Sequence, residues 1–210
     1  MLKINKTVLP SPEQWEIIIE GMRNPMNSWD KMDSKFHPDY AWIGANDHDL
    51  MTKLAAAGSV HAKYRRMIPV WFTVTAPLYW WKEFDTYKVG TVANSCSTMH
   101  KIHSKEFTLD DFSHERLDPF ALNVLHLIIK NLNTNRNLFV YEENKQHWEN
   151  MIQLLPSSYN QKRTIMLNYE VLVGIYRDRK NHKLDEWHVF CDWICSLPYS
   201  ELITGGAEDE

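Results

Sequence analysis

The spacing of apolar and polar positions predicts a helix near the start of the chain and a strand near its middle. Ser11 is followed by proline and, three residues later, by Gln14, which is the pattern of a capping box, so we expect a helix over about Pro12–Arg23. From Val70 to Thr75, apolar residues alternate with tryptophan or threonine. This period of two is typical of a strand.

Helical periodicity dominates the rest of the chain. Asn46 is a candidate N-cap for a second helix, and Gly58 supplies a left-handed stop. Because strands come early and helices late, the order favours an α+β fold over repeated βαβ units. The predicted helices cover about 47–57, 60–66, 78–87, 119–131, 142–155, 162–177 and 184–196, and residues 92–100 are left as a loop or a strand.

Composition and charge narrow the class of protein. A chain of 210 residues with 44% hydrophobic side chains is ordinary for one globular domain, which we place at 1–203, followed by a disordered acidic tail at 204–210. It has no apolar run of about 20 residues and no signal-peptide pattern. We therefore expect a soluble, cytoplasmic protein without a membrane partner. The net charge of −4 gives no general attraction to nucleic-acid polymers.

The stretch NSCSTMH, residues 94–100, concentrates polar side chains in seven positions. Cys96 is compatible with a nucleophile whose thiolate is assisted by Ser95, Ser97 and His100. A zinc site is a weaker alternative, because the other two cysteines lack a CxxC spacing. The residues of that alternative are His100, His103, His114, Cys191 and Cys195.

Two further clusters have both a structural and a functional interpretation. Arg177, Arg179 and Lys180 suit the negative end of a helix dipole, and they equally suit a phosphate clamp. Trp80 and Trp81 are typical of core or interface aromatics. Neighbours on a helix cannot share one face, so we expect at least one of the two to contact something other than the main core.

Two ordered motifs resemble those of the flavin-dependent thymidylate synthases. That family carries a strand and a helix leading into RHRxxSxNExSxRY; here VWFTVTAP precedes LYWWKEFDTYKVGTVANSCSTMH, with Asn94 and Ser97 at the motif's Asn and second Ser. The family then has LP, NxRxLxxFxxxR and a His, and this chain has LP at 155–156, NYEVLVGIYRDR from Asn168 to Arg179, and His182. The resemblance covers about 69–182.

The resemblance implies a single domain with a mainly antiparallel sheet flanked by helices. It also implies a homo-oligomer, as a tetramer, with FAD at subunit junctions. The implied reaction is methylation of a deoxyuridine nucleotide, dUMP, with NADPH and methylenetetrahydrofolate as co-substrates and reduced flavin as hydride donor. No enzyme nucleophile is required, so Cys96 is assigned to packing.

Site residues follow from the positions that match the two motifs. The resemblance implies cofactor binding by Lys88, Asn94, Ser95, Ser97 and Asn168, substrate binding by Glu83, Ser97 and Arg179, and catalytic roles for Ser97 and Arg179. No metal is implied.

The chain departs from the motifs at several of these positions. Thr86, Tyr87 and Lys88 stand at RHR, Ser95 at the Glu, Met99 at the Arg, His100 at the Tyr, Glu83 at a preceding Gln and Glu170 at the second motif's Arg. Three interpretations stay open. They are an active, divergent synthase; a noncatalytic nucleotide- or flavin-binding homologue; and a structural protein with the aromatic run 79–81 buried between subunits.

Overall fold

The computed structural model describes residues 2–205. The α-helices are Pro12–Arg23 (α1), Ala45–Ala56 (α2), Leu78–Phe84 (α3), Pro119–Glu142 (α4), Lys145–Leu154 (α5), Tyr169–Arg179 (α6), Asp185–Cys195 (α7) and Glu201–Thr204 (α8). The strands are Lys3–Val8 (β1), Lys35–His37 (β2), Tyr40–Trp42 (β3), Pro69–Pro77 (β4), Val92–Ser95 (β5) and Asn160–Asn168 (β6). Within 2–205, no helix is long and apolar enough to cross a membrane.

The architecture is α+β, with a mainly antiparallel sheet flanked by helices, which confirms the predicted fold class. The larger sheet has the strand order β1-β4-β6-β5, and β2 and β3 form a separate antiparallel pair. The capping-box helix and the strand after Pro69 are also confirmed. In α1, the Ser11 hydroxyl accepts from the N–H of Gln14, whose side chain accepts from the N–H of Ser11.

Strands β4 and β6 run antiparallel: as the residue number rises along β4, the number of the residue opposite it on β6 falls. The contacts that fix their register are Tyr169 N to Ile68 O at 3.1 Å, Thr73 Oγ1 to Thr164 Oγ1 at 3.3 Å, and Leu78 N to Tyr159 O at 3.0 Å. This register sets Thr75 opposite Lys162. Because successive side chains alternate between faces, Thr73, Thr75, Lys162 and Thr164 share one face of the sheet.

The described chain forms two compact units. The first unit contains residues 2–5, 73–86 and 94–164, and the second contains 6–72, 87–93 and 165–205. The single domain expected over residues 1–203 stays a prediction. In the first unit, an apolar core forms between α4, α5 and the loop before α4, from Ile102, Phe107, Phe112, Leu125, Ile129, Leu132 and Met151. In the second, Phe72 packs against Phe190 and Trp193, at ring distances of 5.8 and 4.5 Å.

A buried ion pair joins α1 to α2 within the second unit. Arg23 Nε lies 2.5 Å from Asp47 Oδ1, and the two side chains are 4% and 0% exposed. The other carboxylate oxygen of Asp47 accepts from the N–H groups of Asp33 and Ser34 and from the Ser34 hydroxyl. Burial acts to raise the pKa of Asp47, but the bonds from Ser34 and Arg23 outweigh it and hold the pKa below its ordinary value.

The start of α2 corrects the prediction that Asn46 is its N-cap. The cap position is Gly44, and the N–H groups of Asn46 and Asp47 donate to the carboxylate of Asp33 at 2.9 and 3.1 Å. A Cβ on Gly44 would lie 2.2 Å from Asp33 Oδ1, so only glycine admits this carboxylate. The acceptor comes from a distant residue, which local sequence spacing does not reveal.

A predicted helix over 162–177 is wrong in its first half. Residues Asn160–Asn168 form β6, in which Ile165 and Leu167 are buried on alternate positions, and α6 begins at Tyr169. The Asn168 side chain accepts from the N–H of Val171 at 3.1 Å and so caps α6. Strand pairing along β4 therefore overrides the helical spacing of this segment.

Several predicted ends also shift. Helix α3 stops at Phe84 rather than at about 87, and α4 continues from Pro119 to Glu142 rather than ending near 131, because Leu132 is fully buried in the core and extends the apolar face. The segment left open at 92–100 begins as β5. Thr204 ends α8 and Gly205 caps it, while the remaining predicted tail, 206–210, lies outside the described residues.

Candidate functional site

Strand β5 leads into the polar loop that carries Ser97. Asn94 and Ser95 are exposed at the end of this strand. Cys96 then ties the chain to β6, because its N–H donates to Lys162 O at 2.9 Å and its carbonyl accepts from Gln161 Nε2 at 2.8 Å. These two bonds fix the point at which the loop leaves the sheet.

The side chain of Ser97 organises the next turn of the loop. Its Oγ accepts from the N–H of His100 at 2.9 Å and from the N–H of Met99 at 3.3 Å. A hydroxyl that accepts two bonds keeps its own proton for donation. Since Ser97 is exposed, this proton is available to a ligand as a hydrogen-bond donor.

A cavity of about 510 Å³ opens beside Ser97, entirely within the first unit. Thr75 and Lys162, which lie opposite each other on β4 and β6, contribute to its wall, together with the loop from Cys96 to Asp111. We call it the lysine cavity, and the residues that define it are Thr75, Ser97, Lys101, Lys105, Asp111 and Lys162.

One lysine of the cavity is already neutralised. Lys105 Nζ forms an ion pair with Asp111, and this hydrogen bond raises the pKa of the ammonium group. Burial, followed by the charge of Asp111, raises the pKa of the Tyr159 phenol, which also lines the cavity. At neutral pH the cavity therefore presents a paired ammonium and a protonated phenol.

Helix α3 carries the half-buried Glu83 together with three buried aromatic residues, Trp80, Trp81 and Phe84. Trp80 and Trp81 are 0% and 1% exposed, so the interpretation that the run 79–81 is buried between subunits is wrong for these two. Trp81 donates from Nε1 to the Gln161 carbonyl at 3.0 Å. Trp81 thus contacts a backbone carbonyl, and both tryptophans pack against Phe84.

Arg163 is a residue of this region that sequence reasoning missed. Its guanidinium carbon lies 4.1 Å from the centre of the Trp81 ring, in cation–π range, and Nη1 donates to Asp85 at 2.7 Å. Nε donates to the Gln161 side chain at 2.9 Å. Two of its nitrogens and its guanidinium face contact protein groups, and we assign it a structural role.

In the second unit, the turn that carries Lys88 lies against the start of α6. Lys88 is exposed, and Gly90 has a φ of +78°. A Cβ on Gly90 would lie 3.0 Å from Val171 Cγ2 and 3.5 Å from Asn168 Nδ2. The turn therefore needs glycine for its conformation and for its close approach to α6. This contact brings the predicted residues Lys88 and Asn168 into one neighbourhood.

Arg179 is held by two aromatic rings of the second unit. Its Nε donates to Tyr87 Oη at 2.8 Å, and its guanidinium carbon lies 4.7 Å from the Trp187 ring centre. Tyr87 Oη in turn donates to Asp178, at 3.5 Å, and burial raises the pKa of this phenol despite the opposing effect of Arg179. The arginine is thus fixed in direction by a hydrogen bond and by stacking.

The predicted site residues divide between the two units. The first holds Glu83, Asn94, Ser95 and Ser97, and the second holds Lys88, Asn168 and Arg179. The catalytic, cofactor and substrate roles assigned to these residues stay predictions. Cys96 is exposed and lines the lysine cavity, so its assignment to packing is wrong. Over 2–205, no group of three or more His, Cys, Asp and Glu is placed to hold a metal ion.

Comparisons with known proteins give a structural match only. No protein-family model and no curated protein matches the chain. Two structures of thymidylate synthase X from Helicobacter pylori, with FAD and dUMP, align with TM-scores of 0.68 and 0.66 at 14% and 13% identity, covering 97% and 99% of both chains. A UMP/dUMP methylase, PolB, from Streptomyces cacaoi, bound with 5-Br dUMP, aligns at 0.63 and 13% identity, over 98% of this chain and 94% of that one.

The chain has the flavin-dependent thymidylate synthase fold. The fold prediction from the two motifs is therefore confirmed. At this level of identity the match concerns the flavin-dependent thymidylate synthase fold and not the activity.

Within the flavin-dependent thymidylate synthase fold, one residue that departs from the family motifs, Glu170, has a charged partner of its own. Glu170, at the position of a motif arginine, lies 2.8 Å from Nε and from Nη2 of Arg65. Arg65 is 5% exposed and also donates to the Leu202 carbonyl at 3.0 Å. The carbonyl of Met99, at the first motif's arginine, accepts from Trp148 Nε1 at 3.0 Å. The Glu170 departure is therefore integrated into the packing, whereas the Met99 side chain is 46% exposed and only its backbone makes this contact.

Proposed function

We propose that this chain is a divergent flavin-dependent thymidylate synthase-like protein that methylates a deoxyuridine nucleotide using reduced flavin and methylene-folate. One observation carries the proposal: in a chain whose fold matches that family over 97% of its length, the motif serine Ser97 lines a cavity of about 510 Å³. This volume lies within the roughly 300–1,000 Å³ typical of small-molecule sites.

The nucleotide is proposed to bind beside Ser97, with the free hydroxyl proton of this residue as a donor. Arg179 is proposed as a second nucleotide contact, because hydrogen bonding to Tyr87 and stacking on Trp187 fix its guanidinium. Glu83 is proposed as a further substrate contact from α3. Where sites lie at subunit junctions, as the resemblance implies, these groups can come from different copies of the chain.

FAD is the proposed cofactor, and the residues around Gly90 fit it. Lys88 supplies an exposed cation for a pyrophosphate, while Val89 is 93% exposed and offers an apolar surface. Asn168 uses Oδ1 to cap α6, which leaves Nδ2 as a donor. From β5 and its loop, Asn94, Ser95 and Ser97 are proposed as further hydrogen-bonding groups. This combination of cation, amide donors and exposed apolar side chains suits an amphiphilic dinucleotide.

When bound, reduced flavin would supply the hydride for methyl transfer, with NADPH and methylenetetrahydrofolate as co-substrates. The chain contributes position and electrostatics. Ser97 would hold the nucleotide by its hydroxyl, and Arg179 would orient the pyrimidine or its phosphate. No thiolate is needed, and Cys96 is assigned no bond-forming step.

A homotetramer in the cytoplasm is the proposed setting. Helix α4 exposes Phe120, Val124 and Leu127 at 78%, 41% and 68%. Their spacing of four and three residues places them in one stripe on the helix. An apolar stripe of this kind supports burial between copies of the chain. Sedimentation velocity tests this, because a monomer at micromolar concentration would contradict the proposal.

The alternative is a noncatalytic homologue that binds a nucleotide or flavin after losing synthase residues. The ion pair of Glu170 with Arg65 favours it, because a motif cation has been replaced by a carboxylate that neutralises a buried arginine. In that case binding would persist without turnover.

The absorption spectrum of the purified protein, with and without added FAD, is the first test. Flavin bands that persist through gel filtration are expected, followed by tritium release from [5-³H]dUMP when NADPH and methylenetetrahydrofolate are added. Flavin and dUMP binding without turnover would select the noncatalytic alternative. A protein that takes up neither ligand would contradict both.

A further inference from the structure

We propose that Lys101 and Lys162 form a phosphate-binding subsite in the lysine cavity, which takes the monophosphate of the nucleotide. The inference rests on the proposed function for the identity of the ligand. Its chemistry is that of any phosphomonoester, because two ammonium groups and neighbouring hydroxyls recognise the dianion and not the base.

The first argument is the state of the three lysines around this cavity. Lys105 is paired with Asp111. Lys101 and Lys162 are exposed, and neither has an acidic partner within ion-pair distance in residues 2–205. Asp110 also lines the cavity, so the five charged side chains give a net charge of about +1. The two ammonium groups without an acidic partner match the charge of a dianion, and with Asp110 the occupied cavity would carry about −1.

The second argument is how the fold brings the two lysines to one cavity. Lys162 stands on β6 opposite Thr75, and its carbonyl accepts from Cys96 N–H, which anchors the loop beside it. Lys101 follows the turn that Ser97 Oγ stabilises through the N–H of His100. Two cations that are 61 residues apart in the sequence therefore line the same cavity of about 510 Å³, together with the hydroxyl-bearing residues Thr75 and Ser97.

The third argument is the departure from the first family motif. Met99 stands where the motif has an arginine, and a thioether cannot donate to a phosphate. Lys101 lies two residues further along the same loop. We infer that the cationic function has moved from the motif position to Lys101, with Lys162 as a second charge from the sheet.

Isothermal titration of the full-length protein with dUMP, deoxyuridine and inorganic phosphate tests the subsite. The K101Q/K162Q variant should raise the Kd of dUMP at least tenfold, because it removes two charge-assisted contacts, and change the Kd of deoxyuridine less than twofold. Lys130→Gln is the control: an exposed lysine on α4, outside the cavity, whose substitution removes one positive charge where the double variant removes two. It should leave both values unchanged. K101R/K162R, which keeps the charge, should retain dUMP binding.

Asp110→Asn provides an independent measurement in the opposite direction. Removing the Asp110 carboxylate should tighten binding of dUMP and of inorganic phosphate by about threefold. Unchanged dUMP affinity in K101Q/K162Q would overturn the subsite, and so would a wild-type protein that binds neither dUMP nor phosphate. Lysine-dependent dUMP binding without flavin uptake would support the subsite and contradict the synthase. Flavin uptake together with dUMP binding that does not depend on the two lysines would contradict the subsite and support the synthase.

Discussion

The cations of this protein differ sharply between two places. In the second unit, Arg23 and Arg65 are 3% and 5% exposed, and each contacts a carboxylate and a backbone carbonyl. In the lysine cavity of the first unit, Lys101 and Lys162 are exposed and contact no carboxylate within 2–205. A guanidinium satisfied on several sides stabilises the fold. An ammonium group without a protein partner is available to a ligand.

The difference follows from the cost of burying charge. A buried guanidinium that loses its carboxylate leaves an uncompensated charge, at a cost of about 3–5 kcal/mol. An exposed ammonium group stays hydrated, so its removal costs little stability. Mutations at the buried arginine pairs should therefore lower the free energy of unfolding, whereas mutations in the lysine cavity should weaken ligand binding.

The largest effect is expected for Asp47→Asn. It leaves Arg23 buried without a carboxylate, so the free energy of unfolding should fall by about 3–5 kcal/mol in urea titrations. Asp49→Asn, on the same helix, removes an exposed carboxylate that pairs with Lys53. This control should cost less than about 1 kcal/mol. Equal losses in the two variants would show that burial does not set the cost.

The next largest effect on stability is expected when the family's arginine is restored at position 170. Glu170→Arg places a second guanidinium beside the buried Arg65, and we expect a loss of about 3 kcal/mol in unfolding free energy. Glu170→Gln also removes the carboxylate, but the Glu170 side chain is 20% exposed where that of Asp47 is 0%, so water can reach the site and the loss should be about 1–2 kcal/mol. If E170R were as stable as the wild type, the ion pair would not be what retains the carboxylate.

Arg179→Ala should act mainly on the ligand. The loss of a charged hydrogen bond is expected to weaken dUMP binding by about 1.5–3 kcal/mol, measured by isothermal titration. The loss of stacking on Trp187 should lower the free energy of unfolding by about 1 kcal/mol. Arg177→Ala removes an exposed neighbour that pairs with Asp178 and serves as the control. Equal dUMP affinity in both variants would place Arg179 outside the binding site.

The smallest effect is a pH dependence of the Arg23–Asp47 pair. Because the pKa of Asp47 is lowered in the folded state, its contribution is present above the unfolded pKa of about 3.9 and is lost as pH falls through the folded value. The difference in unfolding free energy between the wild type and Asp47→Asn should therefore shrink below about pH 4. A constant difference down to pH 3 would contradict this assignment.

Local chemistry made part of the fold predictable. The Ser11 box and the alternation after Pro69 involve neighbouring residues, and both were confirmed. The cap of α2 comes from Asp33, outside the reach of local spacing. In β6, the alternation of Ile165 and Leu167 covers too short a run to separate a strand from the start of the helix that follows, and pairing with β4 decides the outcome.

The site was predictable where a motif resembled a known one. Ser97 and Arg179 were found by their position in two motifs, although their roles remain predictions. Lys162 carries no such signal, because only the antiparallel register with β4 sets it opposite Thr75 and into the cavity. The charge of Lys101 was visible, but its lack of an acidic partner is a property of the folded chain.

Gly90 shows how a missing atom can govern a site. The turn that carries Lys88 approaches Val171 so closely that one added carbon would lie 3.0 Å from its methyl group. Gly90→Ala would alter no charge, donor or acceptor, yet it would push this turn away from α6. The distance between Lys88 and the start of α6 can thus be increased by a single methyl group at position 90, without any change in charge.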